Sequence, residues 1–260
     1  RQRAEAMDHL LLFGPPGLMR HIAGMISGIL WDRVEDRGPR FVVHECHGDH
    51  LKRWKITAGD TAPTPLEDQA TPDGVLLREP DFQIRAAMLD HGTPVLAFAW
   101  EPFGKLQVRN DQLQAEGLKP GAWLHDLKMA VLRQRPDELI SPDAGRTLRA
   151  EDLARKLLIQ APGEKVVYGT DFADTPENIR KMTELAEGAH TLFCEASFMA
   201  ADEAQARHTH HLTTRACARI AEAGQVRQLI AFHFSHRYDR RQDEVYRELK
   251  GFTDRLVIPD

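Results

Sequence analysis

Three short apolar runs do most to limit what this chain can fold into: KVVYGTD (165–171), HTLFCEASF (190–198) and QLIAFHF (228–234). Each is too short for a helix and too apolar for a loop, and each leads toward a segment with helix signals. TPENIRKMTELAEG places Thr175 as N-cap, Pro176 at the first helical position and Gly188 at the stop. Further helices are expected over about 212–223 and 240–250. Buried strands that feed helices need a sheet with helices layered on it, so the pattern predicts an α/β domain.

The first half reads differently. HLLLFGPPGL is a short strand ending in a Gly-Pro-Pro-Gly turn, and LMRHIAGMISGILW has the length and apolar spacing of a helix. FVVHE and LKRWKIT follow as strands, residues 60–75 as a loop, and FQIRAAMLD and VLAFAW as an adjacent pair joined by HGTP. From about 111 to 160 the reading is mainly helical, broken at KPG and at SPDAG.

With 260 residues, 42% hydrophobic and 28% charged, one globular domain over 1–260 is the expectation. The net charge of −5 provides no global footprint for nucleic acid, although a local basic strip could still hold a phosphate backbone. Cys46, Cys194 and Cys217 are odd in number and form no C-x-x-C pair, which argues for a reducing, cytoplasmic setting. No run of about 18 apolar residues exists and RQRAEAMDH is no signal peptide, so no membrane association is expected.

Polar residues collect at strand ends. His91 follows FQIRAAMLD, Asp171 closes KVVYGTD and His233 lies in QLIAFHF, at the sheet edge where open α/β folds bind ligands. Each could be a structural hydrogen-bonding residue. Together, two imidazoles and a carboxylate suit zinc or manganese. Glu195 and His211 form a second group, read either as a proton donor beside an acid or as a salt bridge and a helix-end neighbour. In HFSHRY, Ser235 and Arg237 could contact phosphate or simply start the last helix.

HECHGDH (44–50) has three imidazoles and two carboxylates in seven positions, and its last four residues match the second half of an H-x-H-x-D-H metal loop. The first half of that loop fails, because Glu45 stands where the pattern needs His.

LLLFGPPGL, AMLDHGTPVLAFAWE, GLKPGAWL, VVYGTD, TLFCEASF and HHLTTRACARIAEAGQVRQLIAFHFSHRY resemble, in order, segments of the ribonuclease Z branch of the metallo-β-lactamase fold. The resemblance implies an αββα sandwich, incomplete at its N-terminus, with two Zn²⁺ (or Mn²⁺) at one sheet edge. His91 would bind one ion, His233 the other, and Asp171 both; His211 and Glu195 would flank the leaving group. CEAS replaces the family's H-E-A-T-like sequence, with Cys194 for His and Ser197 for Thr.

The family's H-x-H-x-D-H loop precedes the GPPGL-like turn, so HECHGDH comes too late to be it. AMDHLL offers Asp8 and His9, but Ala4 and Ala6 occupy the positions that need His. The motif is therefore expected upstream of Arg1. The implied function is a metal-dependent endoribonuclease removing the 3′ trailer of precursor tRNA, as a homodimer, with residues 111–150 as a substrate-binding arm. Two rival readings keep the fold: a hydrolase of a small phosphodiester or ester, and a metal-free binding module.

Overall fold

The computed structural model describes residues 9–31, 38–60 and 62–259. Ala4, Ala6 and Asp8, part of the alternative motif near the start, lie outside the described residues. Strand β1 (Leu10–Gly14) enters the Gly-Pro-Pro-Gly turn, whose Gly17 adopts φ 99°, a conformation closed to most side chains, before helix α1 (Leu18–Ser27). There follow β2 (Arg40–Cys46), β3 (His50–Thr57), β4 (Thr64–Ala70), β5 (Val75–Arg78), β6 (Phe82–Asp90) and β7 (Pro94–Pro102). Next come β8 (Lys105–Val108), α2 (Asn110–Ala115), α3 (Trp123–Leu132), β9 (Leu139–Asp143), β10 (Arg146–Arg149), α4 (Ala150–Leu157) and β11 (Leu158–Ala161). The chain ends with β12 (Val166–Gly169), α5 (Pro176–Ala186), β13 (Thr191–Glu195), α6 (Glu203–His208), α7 (Thr214–Ala223), β14 (Gln228–Phe232) and α8 (Gln242–Lys250).

These elements divide into two compact units. The first takes in residues 1–77, 84–100 and 165–260 and contains two sheets, ordered β1-β2-β3-β4 and β14-β13-β12-β7-β6-β5. Strand alternation builds its layers. In β6, Ala87 and Leu89 pack toward the helices, with Met182 and Leu185 of α5, Ile220 of α7 and Leu249 of α8 in the same cluster. Ala86 and Met88, on the opposite face of β6, meet Cys46 and Leu51 of the four-stranded sheet. On that sheet's outer face, Val43 and Ile56 bury against Met19 and Ile26 of α1. Helix, sheet, sheet, helix is the αββα order that the resemblance implies.

Strands β12, β13 and β14 are mutually parallel, and β12 runs antiparallel to β7. The tight HGT turn reverses the chain between β6 and β7, so β6 points the same way as β12. The carboxyl ends of four strands therefore meet at one edge. Register levels them: Gly169 pairs with Cys194, and Glu195 pairs with Phe232, one residue before His233.

The second unit takes in residues 78–83 and 101–164 and has its own core of Leu113, Trp123, Leu127, Ile140, Leu153 and Leu157. Here and at 60–75 the structure holds more strand than the residues predict. β4 is a mostly exposed edge strand paired with β3 through its backbone, so TPLEDQA carries no apolar alternation to read. SPDAG does not simply break a helix: Ala144 and Gly145 are the two-residue turn of a β9–β10 hairpin, and Asp143 accepts the Gly145 amide at 3.0 Å.

Candidate metal centre and acid–base pair

Asp171 and His233 both follow parallel strands, and both are in the left-handed region, with φ 56° and 59°. Non-glycine residues are uncommon there, and such conformations concentrate where surrounding structure holds a functional geometry. The two turns bring Oδ1 of Asp171 to 3.2 Å from Nε2 of His233. Two ligands of one tetrahedral zinc, with bonds near 2.1 Å, would stand about 3.4 Å apart, so the pair fits a shared cation. Both side chains are roughly half exposed, open to an ion from solvent.

Beside them lies a different kind of pair. Glu195 has no exposed surface, and its Oε1 accepts the amides of Phe172 and Leu212, each at 3.2 Å. Its Oε2 accepts from Nδ1 of His211 at 2.8 Å, while the Ser197 hydroxyl stands 3.1 Å from the same oxygen and 2.8 Å from the His233 carbonyl. The ligand atoms of Asp171, Glu195, His211 and His233 all lie within 4.8 Å of one another, the one such metal-capable group among the described residues. Burial and donors separate their tasks: a sealed carboxylate whose oxygens are both engaged holds His211 rather than a cation. The hydrogen bond to Glu195 raises the His211 pKa above the ordinary imidazole value against the opposing effect of burial, and the Asp171 charge adds to the rise.

His91 lies beside this group but outside the set whose ligand atoms meet within 4.8 Å. Its ring lies 4.7 Å from that of His211, which lies 5.2 Å from that of His233. Nδ1 of His91 is 2.8 Å from the His210 carbonyl. A carbonyl only accepts, so Nδ1 carries the proton and a neutral His91 keeps its Nε2 lone pair for a cation, an arrangement usual for metal-binding histidines. His91, Asp171, Glu195, His211 and His233 thus lie at one sheet edge.

The sequence does not point to His210, whose carbonyl orients His91, or to the amides of Phe172 and Leu212. Backbone groups leave no compositional signal. Cys194, at the family's His position in CEAS, is fully buried; the neighbouring Cys217 thiol and then burial push its pKa well above the usual thiol value, which disfavours a thiolate ligand. All three cysteines are free. Arg237 pairs with Asp202 at 2.9 Å and lies over the Phe198 ring, bracing the turn after β14.

HECHGDH is occupied with other contacts. Glu45 accepts the Met19 amide at the start of α1 at 2.8 Å, His44 stacks on Phe13, and His50 pairs with Asp49. None of its residues belongs to the metal-capable group.

This layering, with polar residues gathered at one sheet edge, is that of an αββα sandwich. The sequence model of the family described as "Beta-lactamase superfamily domain" matches residues 21–234, and the chain belongs to that family. Within it, the chain is similar to proteins called ribonuclease Z. It is 28% identical over 228 residues to that of Deinococcus radiodurans, covering 87% of this chain and 67% of the relative. The ribonuclease Z of Anoxybacillus flavithermus is 32% identical over 190 residues, 72% of this chain and 56% of that one. That of Brevibacillus brevis is 28% identical over 233 residues, 88% and 59% respectively. The chain thus spans between 56% and 67% of the length of these relatives. Among solved structures, the short form of human tRNase Z aligns with a TM-score of 0.43 and 13% identity over 90% of this chain and 64% of that one.

Proposed function

We propose that this chain carries part of the catalytic centre of a metal-dependent endoribonuclease that removes the 3′ trailer of precursor tRNA. The observation that carries the reading is the pairing of an open Asp171–His233 cation site with a buried Glu195–His211 proton donor, within 4.8 Å of one another. His91, Asp171 and His233 would hold the metal, two imidazoles and a carboxylate being donors suited to zinc or manganese. Two zinc ions held there, or manganese on the same donors, would lower the pKa of the attacking water and clamp the phosphate.

The remaining work falls to the protein. Nδ1 of His211 is committed to Glu195, so Nε2 presents the proton. As the water oxygen bonds to phosphorus and the bond from phosphorus to the departing ribose oxygen breaks, His211 protonates that oxygen. Glu195 fixes the ring and stabilises its charged form. Residues 111–150 act as the substrate-binding arm, with Lys119, Arg133 and Arg135 exposed for phosphate contact. The protein works in the cytoplasm as a homodimer. Among the described residues no helix is long and apolar enough to cross a membrane.

The test is an assay of the zinc-loaded full-length gene product on a precursor tRNA, with the products mapped. Cleavage at the trailer junction is the expected result. A protein that holds zinc and cuts a small phosphodiester but leaves the junction intact would remove the tRNA assignment.

A further inference from the structure

Asn178 is a polar residue in the first turn of α5 with only 2% of its surface exposed. Its carboxamide is fully used. Oδ1 accepts the Asp90 amide at 3.0 Å, and Nδ2 donates to the Asp90 carbonyl at 2.8 Å and to the Ala173 carbonyl at 2.9 Å. The Ala173 amide also donates to the Asp90 carbonyl, at 2.9 Å. Asp90 directly precedes His91, and Ala173 lies two residues after Asp171. The side chain therefore ties together two strand-end loops, each carrying one residue of the candidate metal centre.

We infer that Asn178 is a positioning residue for that centre, setting the spacing between His91 and Asp171 by clamping the backbone beside each. The inference rests on the metal-binding role given to those two residues. Only a side chain with one acceptor and two donors at this reach satisfies all three backbone groups. Aspartate would turn one carboxylate oxygen toward two carbonyl oxygens, and glutamine is a methylene too long for a packed site. Support of this kind, one step removed from the ligands, typically changes metal affinity by about 10- to 100-fold when lost.

Removing the clamp need not unfold the protein. The Asp90 carbonyl keeps the Ala173 amide and the Ala173 carbonyl keeps the Thr175 amide, so the Asp90 amide is the group left without its partner. A control at the same helix is available in Thr175, whose hydroxyl accepts the Asn178 amide as the α5 N-cap. Thr175→Ala weakens that helix start without touching the carboxamide.

The experiment measures zinc affinity by chelator competition, and the absorption spectrum after cobalt substitution, for full-length wild type, Asn178→Ala, Asn178→Asp and Thr175→Ala. Both Asn178 variants should lose about 10- to 100-fold in affinity and show an altered cobalt spectrum, while Thr175→Ala lowers the melting temperature but keeps the wild-type affinity and spectrum. Wild-type affinity in Asn178→Ala would overturn the inference alone, as would an equal loss in Thr175→Ala. A wild-type protein that holds no metal would overturn the metal-centre reading and this inference with it.

Discussion

Nδ1 of His211 lies 2.8 Å from Oε2 of Glu195, and that carboxylate has no exposed surface. The bond leaves one ring nitrogen of His211 free to exchange a proton with a substrate. His211→Ala should therefore slow cleavage by about 10² to 10⁴ while metal content is retained. The loss should shrink with a nitrophenyl phosphodiester, whose leaving group needs little protonation. Loss of zinc, or equal slowing of good and poor leaving groups, would make His211 a ligand or a structural residue.

Glu195→Gln tests the other partner through pH. Glu195 raises the His211 pKa, so the proton-donor form persists above the ordinary imidazole value of about 6.5. Rate should fall as pH rises through the raised value. The Glu195→Gln variant removes the larger of the two anionic influences on the ring and leaves only the Asp171 charge, so the alkaline limb of its rate profile should move to lower pH. An unmoved limb in that variant would show that another group titrates.

Asp171 needs a substitution that respects its backbone. At φ 56° alanine adds strain, whereas asparagine tolerates this region. Asp171→Asn should thus keep the melting temperature close to wild type yet lower metal content, because the neutral amide is a poor substitute for a carboxylate as a cation ligand. Full retention of metal would reduce Asp171 to a turn residue.

Much of this arrangement is legible in the sequence, and the reason is physical. Buried parallel strands must be apolar, so polar residues at their ends, Asp171, Glu195 and His233, stand out against the runs that precede them. The strands β4 and β10 escape such a reading because exposed pairing is made by backbone groups and imposes little on side chains. The same holds for the His210 carbonyl that orients His91. Asn178 escapes for another reason: a polar residue in a helix's first turn reads as solvated, and only the fold buries it.

HECHGDH separates residue type from placement. If its groups serve the hairpin rather than a cation, the double variant His47→Ala, Asp49→Ala should keep metal content and activity near wild type. Loss of bound metal in that variant would restore the stretch as a ligand source.

His44 provides a stability prediction independent of any cation. Its buried ring stacks on Phe13, with centroids 4.4 Å apart, and its Nδ1 lies 3.3 Å from the Leu12 carbonyl. Burial lowers its pKa, the nearby Arg53 charge adds to that, and the hydrogen bonds to Leu12 and Val42 oppose it only in part. In the unfolded chain the imidazole takes up a proton near pH 6.5, whereas the folded protein resists doing so until lower pH. Between those values the unfolded state binds more protons, so stability falls as pH falls below about 6.5 and the loss levels off once the folded form is also protonated. His44→Phe keeps the stacking and removes the titration. Denaturant unfolding at about pH 8 and about pH 5.5 should show wild type losing more stability on acidification than the variant. Equal losses in the two proteins would mean that His44 does not contribute to the acid sensitivity of the fold.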